Sequence, residues 1–330
     1  DTSPVAGRTW SWRGDGVVTG VEDFLRGISQ FSVDLNGRVT EISRNSVNNI
    51  EGLSHGSGES REEYAFSSAG VLTSIQAGGF GKEERSGLAR ARVQRRAARD
   101  AEKVDVRGTL VTGVGRTKYS YDKIGRVIET VTRRTSLKPL VKKFKYFEGT
   151  GQVSEFWSSD TPDLQWLYTY DGLGRRSSKS CVDRRTDKVL SRTVFAYQGQ
   201  QLVGEYCTFG ERSDEVDGHF WLTDPDTGEV IGQIDIGNKG KDRSQDEVDA
   251  IFYALVSDLA GAPQELVNPS NGDVVGRASQ SLFGRREWHG TASSPLLFSG
   301  QYEDDESGWA YNRFRFYDPS AGVYGSQDPL

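Results

Sequence analysis

The C-terminal segment 309–330 shows the clearest alternation of polar and hydrophobic positions in the chain. Within it, Arg313 and Arg315 alternate with Phe314 and Phe316. Because successive side chains of a strand point to opposite faces, this pattern predicts a strand with cations on one face and aromatic rings on the other. A second strand is expected to return beside it after a tight turn.

Tight turns of one design recur in the second half of the chain. Each begins with Asp or Asn followed by Pro, and each ends in Gly. Proline fixes φ at the first corner of such a turn, and glycine accepts the left-handed backbone at its exit. We expect the chain to reverse at all three of these turns, Asp224–Gly228, Asn268–Gly272 and Asp318–Gly322.

A longer unit recurs along the first half, in which an aromatic residue or Val precedes a turn that ends in Gly and leads into a strand. In its clearest copies, 119–127 and 168–176, two tyrosines on one strand face are followed by Asp. Asp122 can accept hydrogen bonds from the turn amides and Gly125 can adopt the left-handed conformation, so each copy predicts a β-hairpin. The basic step is a little over twenty residues, judged from the turn glycines Gly16, Gly37, Gly70, Gly125, Gly151 and Gly174.

The recurring hairpins predict an all-β fold. A single hairpin is only marginally stable in water, so these units must pair edge to edge in an extended sheet that closes, curls or is covered. The exception is the segment 82–107, which is rich in Ala and Arg and predicts a short helix. Its lack of a wide apolar stripe favours a solvated insertion outside the hairpins over a surface that binds nucleic acid or an acidic partner. A second polar interruption, 237–246, predicts an exposed loop.

Composition narrows the classes of function. The 330 residues are 35% hydrophobic and 11% aromatic and include 39 Gly, which suits many short strands joined by glycine turns. The net charge of −6 gives no general reason to expect nucleic-acid binding. Two Cys and three scattered His have no metal-ligand spacing, so no metal or other cofactor is expected. The sequence has no apolar run long enough for a membrane span and no opening secretion signal, and its lack of Met indicates a piece of a longer polypeptide.

The segment Gly300–Pro329 carries a dense motif, G-Q-Y-x-D-x-x-S-G-x-x-Y-N-R-x-R-x-Y-D-P-x-x-G-x-x-x-S-Q-D-P. It resembles the core-associated domain of the Rhs family, the YD-repeat polymorphic toxins of bacteria, and related shells occur in insecticidal toxin complexes and teneurins. The stretches 253–266 and 281–285 resemble the part of that domain that precedes the motif, and the hairpin units resemble the YD motif. The chain departs from the family pattern after Gly322, where Arg and an aromatic residue are usual.

This resemblance implies a fold, a division of the chain and a site. Residues 1–252 would be YD-repeat hairpins that form part of a large curled sheet or hollow shell. Residues 253–330 would be the Rhs-associated core domain, a C-terminal plug that resembles an aspartyl autoprotease and releases the polypeptide that follows it. Asp328 matches a functional aspartate of the family, and Arg315 matches a motif arginine beside that site.

Asp318 is a further candidate for this chemistry. Two carboxylates held close together can share one proton, so that one acts as a base on water and the other as an acid toward a peptide group. Asp318 lies ten residues before Asp328 across a predicted hairpin. Because Asp before Pro also commonly starts a turn, a structural role stays open for both aspartates and for Arg315.

Two functions fit these observations. In the first, the chain is the C-terminal part of an Rhs-type shell that encapsulates a toxic effector and contributes to its autoproteolytic release, in bacterial competition or host intoxication. Its partners would be its own downstream toxin polypeptide, the remaining shell segments, and a secretion-system spike or other toxin-complex subunits, and it would be secreted or delivered out of the producing cell. The alternative is an extracellular YD-repeat module for binding or adhesion that recognises a protein or glycan.

Overall fold

The structure, a computed structural model, describes residues 7–45, 59–77, 102–210, 212–237 and 251–328. Every regular element in these ranges is a β-strand, which confirms the all-β prediction. The chain divides into two compact units, of which unit 1 comprises residues 1–116 and 279–290 and unit 2 comprises residues 117–278 and 291–330. The domain boundary expected at residue 253 stays a prediction.

Unit 1 contains an antiparallel meander in which each of eight strands pairs with the next. Ile42, Tyr64 and Ile75 are buried along one face of this meander. The strands are β1 (Arg8–Trp12), β2 (Val18–Asp23), β3 (Gly27–Val33), β4 (Val39–Asn45), β5 (Glu59–Phe66), β6 (Leu72–Ala77), β7 (Glu102–Arg107) and β8 (Leu110–Val114).

Unit 2 contains a second meander, in which successive strands from β9 to β21 again pair antiparallel. We call it the unit 2 ladder. It comprises β9 (Thr117–Tyr121), β10 (Val127–Thr132), β11 (Leu140–Tyr146), β12 (Val153–Ser158), β13 (Leu164–Tyr170), β14 (Arg176–Asp183), β15 (Lys188–Gln198), β16 (Gln201–Phe209), β17 (Arg212–Thr223), β18 (Val230–Gly237), β19 (Phe252–Ser257), β20 (Pro263–Val267) and β21 (Val274–Gln280). The last two residues of β21 and the strand β22 (Arg286–Gly290) belong to unit 1.

Four short strands at the end of unit 2 form a separate antiparallel sheet, which we call the C-terminal sheet. They are β23 (Tyr302–Asp304), β24 (Trp309–Asn312), β25 (Arg315–Asp318) and β26 (Val323–Tyr324). The prediction of one strand through Arg313 and Phe314 is wrong. Asn312 pairs with Arg315, and Arg313 adopts a left-handed φ of 52°, so these two residues form the turn between β24 and β25.

The repeated turn has the predicted chemistry. The Asp122 Oδ1 atom accepts hydrogen bonds from the amides of Ile124 and Arg126 at 3.0 and 2.9 Å, and Gly125 has a φ of 82°. Arg126 Nε donates to Asp122 Oδ2 at 2.7 Å, and its guanidinium lies 4.7 Å from the ring centre of Tyr146 in the next hairpin. The arginine therefore joins consecutive hairpins. The same arrangement links Asp34, Arg38 and Phe66, and also Asp171, Arg175 and Tyr197.

The prediction that Gly151 is a turn glycine is wrong. The residue with positive φ in that turn is Gly149 (69°), whereas Gly151 is not among the positive-φ residues. A Cβ atom at Gly151 would come within 2.7 Å of both the Phe314 carbonyl oxygen and the Ser326 Oγ atom. Glycine at position 151 therefore allows the chain of the C-terminal sheet to approach closely, which no local turn pattern can predict.

The three Asp/Asn-Pro turns reverse the chain as predicted. In each, the final glycine amide donates to the carbonyl oxygen of the first residue, at 2.9, 2.8 and 2.9 Å in chain order. The helix predicted over 82–107 lies outside the described residues from 82 to 101. The prediction is wrong for residues 102–107, which form the strand β7. In this strand Val104 is buried and the other five residues are exposed. The loop predicted over 237–246 lies outside the described residues after Gly237.

Candidate functional site

The C-terminal sheet packs against one face of the unit 2 ladder through buried aromatic residues. Trp309 stacks on Phe144 of β11 with 4.6 Å between ring centres. Phe316 meets Tyr168 of β13 edge to face at 5.7 Å. All four side chains are buried. Because such aromatic pairs add to the stabilisation from burial, they fix the position of β24 and β25 on the ladder.

A buried cluster of charges connects the same two sheets. Arg176 Nη1 lies 2.6 Å from Asp304 Oδ2, and Lys179 Nζ lies 3.0 Å from both Asp304 Oδ1 and Glu306 Oε2. The Tyr168 hydroxyl donates to Glu306 Oε1 at 2.9 Å. Burial raises the pKa of Glu306, although the charge of Lys179 opposes this. The end of β23 and the loop after it are therefore bound to β13 by a tyrosine hydroxyl and to β14 by ion pairs that are shielded from water.

A second polar group holds β23 itself. The Glu205 carboxylate of β16 accepts a hydrogen bond from the Tyr302 hydroxyl at 2.6 Å, and its other oxygen lies 2.9 Å from His219 Nδ1. Burial lowers the pKa of His219, but the hydrogen bond and the charge of Glu205 outweigh it and the pKa is raised. A cavity of about 620 Å³ opens beside this group, and Trp166 and Cys207 also line it.

Asp318 occupies a buried position at the end of β25. The Tyr119 hydroxyl of β9 donates to its Oδ2 atom at 2.7 Å, and the Ser320 amide donates to its Oδ1 atom at 2.9 Å. Burial raises the pKa of Asp318, while the hydrogen bond from Tyr119 and the positive charge of Lys142 act in the opposite direction. Asp318 thus both begins the last turn and contacts the ladder.

Arg315 and Asp328 lie together at a more exposed position. Arg315 Nη2 is 3.2 Å from Asp328 Oδ2, and the side chain of Asp328 is 69% exposed. The Arg315 guanidinium also lies 3.8 Å from the ring centre of Tyr324. The chain before Asp328 is fixed by a hydrogen bond from the Val127 amide to the Gly325 carbonyl oxygen at 2.7 Å.

The structure therefore brings two of the three predicted site residues into contact. Arg315 and Asp328 form an ion pair, whereas Asp318 is bonded to Tyr119 and to its own turn. Among the described residues, no hydrogen bond or ion pair joins Asp318 to Asp328. The catalytic roles of all three remain predictions.

The buried charge cluster was missed by the sequence reasoning. Arg176 and Lys179 lie on a strand between polar residues, and Asp304 and Glu306 lie in a run that resembles an exposed acidic turn. The only signal in the sequence was that the YD-repeat region contains cationic residues and the dense C-terminal motif contains acidic residues, which could pair. Their pairing spans 128 residues for Arg176 and Asp304, so no local periodicity reports it.

The described part of the chain contains no cluster of three or more His, Cys, Asp or Glu side chains that could hold a metal ion. Cys181 and Cys207 are both free thiols. No helix long and apolar enough to cross a membrane occurs in the described ranges.

Curated relatives of this chain include a probable deoxyribonuclease and two proteins named as toxins, all from bacteria. It is 30% identical over 218 residues to the probable deoxyribonuclease RhsB of Dickeya dadantii (strain 3937), a match that covers 65% of this chain and 14% of that protein. It is 27% identical over 341 residues to the double-stranded DNA deaminase toxin A of Burkholderia cenocepacia (strain H111), covering 98% of this chain and 20% of that protein. It is 24% identical over 356 residues to the toxin protein Tse5 of Pseudomonas aeruginosa, a match that covers 98% of this chain and 25% of that protein. The chain thus spans only 14% to 25% of the length of these relatives.

Solved structures share the fold. A chain of the Photorhabdus luminescens Tc holotoxin pore that carries a TccC3 mutation matches with a TM-score of 0.61 and 13% identity, over 98% of this chain and 15% of that one. A chain of the TcdB2-TccC3-Cdc42 structure matches with a TM-score of 0.56 and 13% identity, over 98% and 17%. At this identity the match concerns the fold alone. No family model matches the chain.

The chain has recurring hairpins, some of them built on a Tyr-Asp turn whose arginine reaches the next hairpin, and a C-terminal sheet packs on this ladder. These features define the class as a YD-repeat protein. The curated relatives include two Rhs proteins, and the chain is related to the Rhs/YD-repeat family.

Proposed function

We propose that this chain is the C-terminal part of an Rhs-type shell that encloses a toxic polypeptide and contributes to its release by self-cleavage. The names of the relatives, a probable deoxyribonuclease, a DNA deaminase toxin and the toxin Tse5, support a role in toxin delivery. The partners would be the downstream toxin polypeptide, the other shell segments and further subunits of a toxin complex or secretion spike. The protein would act outside the cell that makes it.

The observation that carries this proposal is the Arg315–Asp328 ion pair. The C-terminal sheet is otherwise buried against the unit 2 ladder, yet it ends in a carboxylate that is 69% exposed and paired with an arginine. An arginine at this distance favours one orientation of the carboxylate and leaves its other oxygen open to a substrate. A peptide bond of the same polypeptide would meet it at high effective concentration, because no separate substrate has to be bound.

The chemistry would be hydrolysis by two carboxyl groups. Asp328 would take a proton from a water molecule while the oxygen of that water attacks the peptide carbonyl carbon. Arg315 would hold the Asp328 carboxylate in place. Asp318 is the candidate proton donor to the leaving amide nitrogen, because burial raises its pKa and so favours the neutral acid. Water adds across one peptide bond, and no cofactor is required.

The test uses the full polypeptide that contains this segment, expressed with its natural continuation beyond residue 330. We expect Asp328→Asn to leave one uncut chain on a denaturing gel, because the amide cannot accept the proton from water. Arg315→Ala should slow the cut by loosening the orientation of Asp328. Circular dichroism should show that both variants stay folded.

Two matched variants control for nonspecific effects. Asp224 is another aspartate before a proline in an exposed turn, so Asp224→Asn should be cut at the wild-type rate. Arg134 forms an exposed ion pair with Asp160 at 2.7 Å, so Arg134→Ala should also be cut normally. If full-length Asp328→Asn separates into two bands as fast as wild type, the protease assignment is wrong and Asp328 is a turn residue.

A further inference from the structure

We propose that Tyr119, which lies on the unit 2 ladder and outside the C-terminal sheet, is a positioning residue for this cleavage, because its hydroxyl group orients and binds the carboxyl group of Asp318. The inference rests on the proposed function. It adds that the self-cleavage site is completed by a residue of the YD-repeat hairpins, 199 positions earlier in the chain.

The geometry supports a specific contact. The Tyr119 hydroxyl donates to Asp318 Oδ2 at 2.7 Å, a normal length for a well-formed hydrogen bond between a hydroxyl and a carboxyl oxygen. The Ser320 amide occupies the other oxygen at 2.9 Å. Tyr119 is 7% and Asp318 5% exposed, so water competes weakly for either group. Both carboxyl oxygens of Asp318 are therefore held in one orientation.

The charged and titratable groups that face Asp318 come from three elements. Tyr119 and Tyr121 lie on β9, Lys142 lies on β11, and Tyr317 precedes Asp318 on β25. Burial raises the pKa of Asp318, and among the side chains Tyr119 and Lys142 lower it. The Tyr119 hydroxyl does so by donating to the charged form, which an apolar ring could not do.

Removing this hydroxyl should therefore change the ionisation of Asp318 in a known direction. Tyr119→Phe keeps the ring and loses the donor, so the pKa of Asp318 should rise further, by about one pH unit for one hydrogen bond to a carboxylate. Tyr121→Phe is the matched control. Tyr121 lies two residues away on the same strand, and Asp318 acts on it through charge.

The first measurement needs only the 330-residue chain. We would label the aspartate side-chain carboxyl carbons with ¹³C, follow their chemical shifts with pH, and assign Asp318 from the signal lost in Asp318→Asn. The expected result is an upward shift of about one unit in Tyr119→Phe and none in Tyr121→Phe. An unchanged titration of Asp318, or an equal change in both variants, overturns the proposal.

Lys142→Met is a second variant, which separates the effect of a nearby charge on Asp318 from the effect of the Tyr119 hydroxyl group. Lys142 is partly buried, and its Nζ donates to the Ser307 carbonyl oxygen at 2.5 Å. Loss of its charge should also move the titration of Asp318 to higher pH, because a positive neighbour favours the carboxylate. If this variant shifts the titration while a folded Tyr119→Phe does not, charge alone controls Asp318 and the role of Tyr119 is refuted.

The second measurement separates the two proposals. In the full polypeptide, the rate of self-cleavage is followed against pH for wild type and Tyr119→Phe. Since Asp318 is assigned as the proton donor, the alkaline limb of the profile should move to higher pH with its titration, which a merely structural role would not cause. If wild type is never cut, the proposed function fails. If wild type is cut and the limb does not move, only the role of Tyr119 fails.

Discussion

Arg176 shows how a residue with a full charge is kept away from water. Its side chain is fully buried, and its only ion pair in the described structure is with Asp304 at 2.6 Å. The Nε and Nη2 atoms have no hydrogen-bond partner there, but the rings of Phe195 and Tyr311 lie 4.4 Å from the guanidinium carbon. Cation–π attraction to these rings offsets part of the desolvation cost.

Because Asp304 pairs with both cations of this cluster, we expect its substitution to destabilise the fold more than substitution of any other member. Asp304→Asn would leave Arg176 and Lys179 without their shared carboxylate, and breaking a buried ion pair typically lowers the free energy of unfolding by about 3–5 kcal/mol. Urea denaturation followed by tryptophan fluorescence would measure it. The neighbouring Asp305 is exposed, so Asp305→Asn should change the stability by less than about 0.5 kcal/mol. Similar losses in both variants would contradict the importance of the buried pair.

At the scale of the element, the Tyr-Asp turn organises the hairpins that carry it and also joins each of these hairpins to the next. The Asp side chain accepts the turn amides, and the arginine bound to it reaches an aromatic ring of the following hairpin. Arg175, for example, also donates to the Gly199 carbonyl oxygen of the next turn. Local turn formation and pairing between hairpins therefore depend on the same two side chains.

The turn between β13 and β14 gives a sharp test of this element. Gly174 has a φ of 74°, and a Cβ atom there would lie 2.5 Å from the Phe314 ring of the C-terminal sheet. We expect Gly174→Ala to lower the free energy of unfolding by at least about 1–2 kcal/mol, the usual cost of a left-handed alanine. Gly172 lies in the same turn with open space and no positive φ, so Gly172→Ala should be nearly neutral. Thermal denaturation of both variants would decide, and equal effects would contradict the argument.

The sequence could predict those features that depend on residues close together in the chain, and not those that depend on residues far apart in it. The Asp122 turn and the reversal at Asp318 depend on residues within five positions, so composition and spacing are enough to find them. The turn at Arg313 was missed because Phe314 fits the alternation of a strand, while its actual place is set by packing against Gly174. The contact between Tyr119 and Asp318 was missed for the same reason, because only the folded ladder brings them together.

At the scale of the whole molecule, titratable groups of opposite behaviour should give a stability maximum in mildly acidic solution. Burial acts to raise the pKa values of turn aspartates such as Asp122 and Asp171. Hydrogen bonds from backbone amides and from an arginine outweigh it, so that their pKa values are lowered. Their contribution is present above the ordinary value of 3.8 and is lost as pH falls below it. His219 has a raised pKa, so its contribution is full below 6.5 and is lost as pH rises through its folded value.

Buried Asp318 and Glu306, with raised pKa values, also favour the folded state more at low pH than at high pH. We therefore expect the free energy of unfolding in urea to be higher at pH 5 than at pH 8 and lower again at pH 3. His219→Gln should reduce the difference between pH 5 and pH 8. A stability that rises steadily from pH 5 to pH 8 would contradict this account.

The long sequence separation between the C-terminal sheet and the strands that hold it has a consequence for the order of events during synthesis. The ribosome makes the partners of this sheet first, since Arg176 precedes Asp304 by 128 residues and Tyr119 precedes Asp318 by 199. The sheet can dock only on hairpins that have already folded. Under the proposed function, a nascent or misassembled shell would lack the surface that orients Asp318, and the cargo would stay attached until its container was finished. Assembly would then serve as its own quality control.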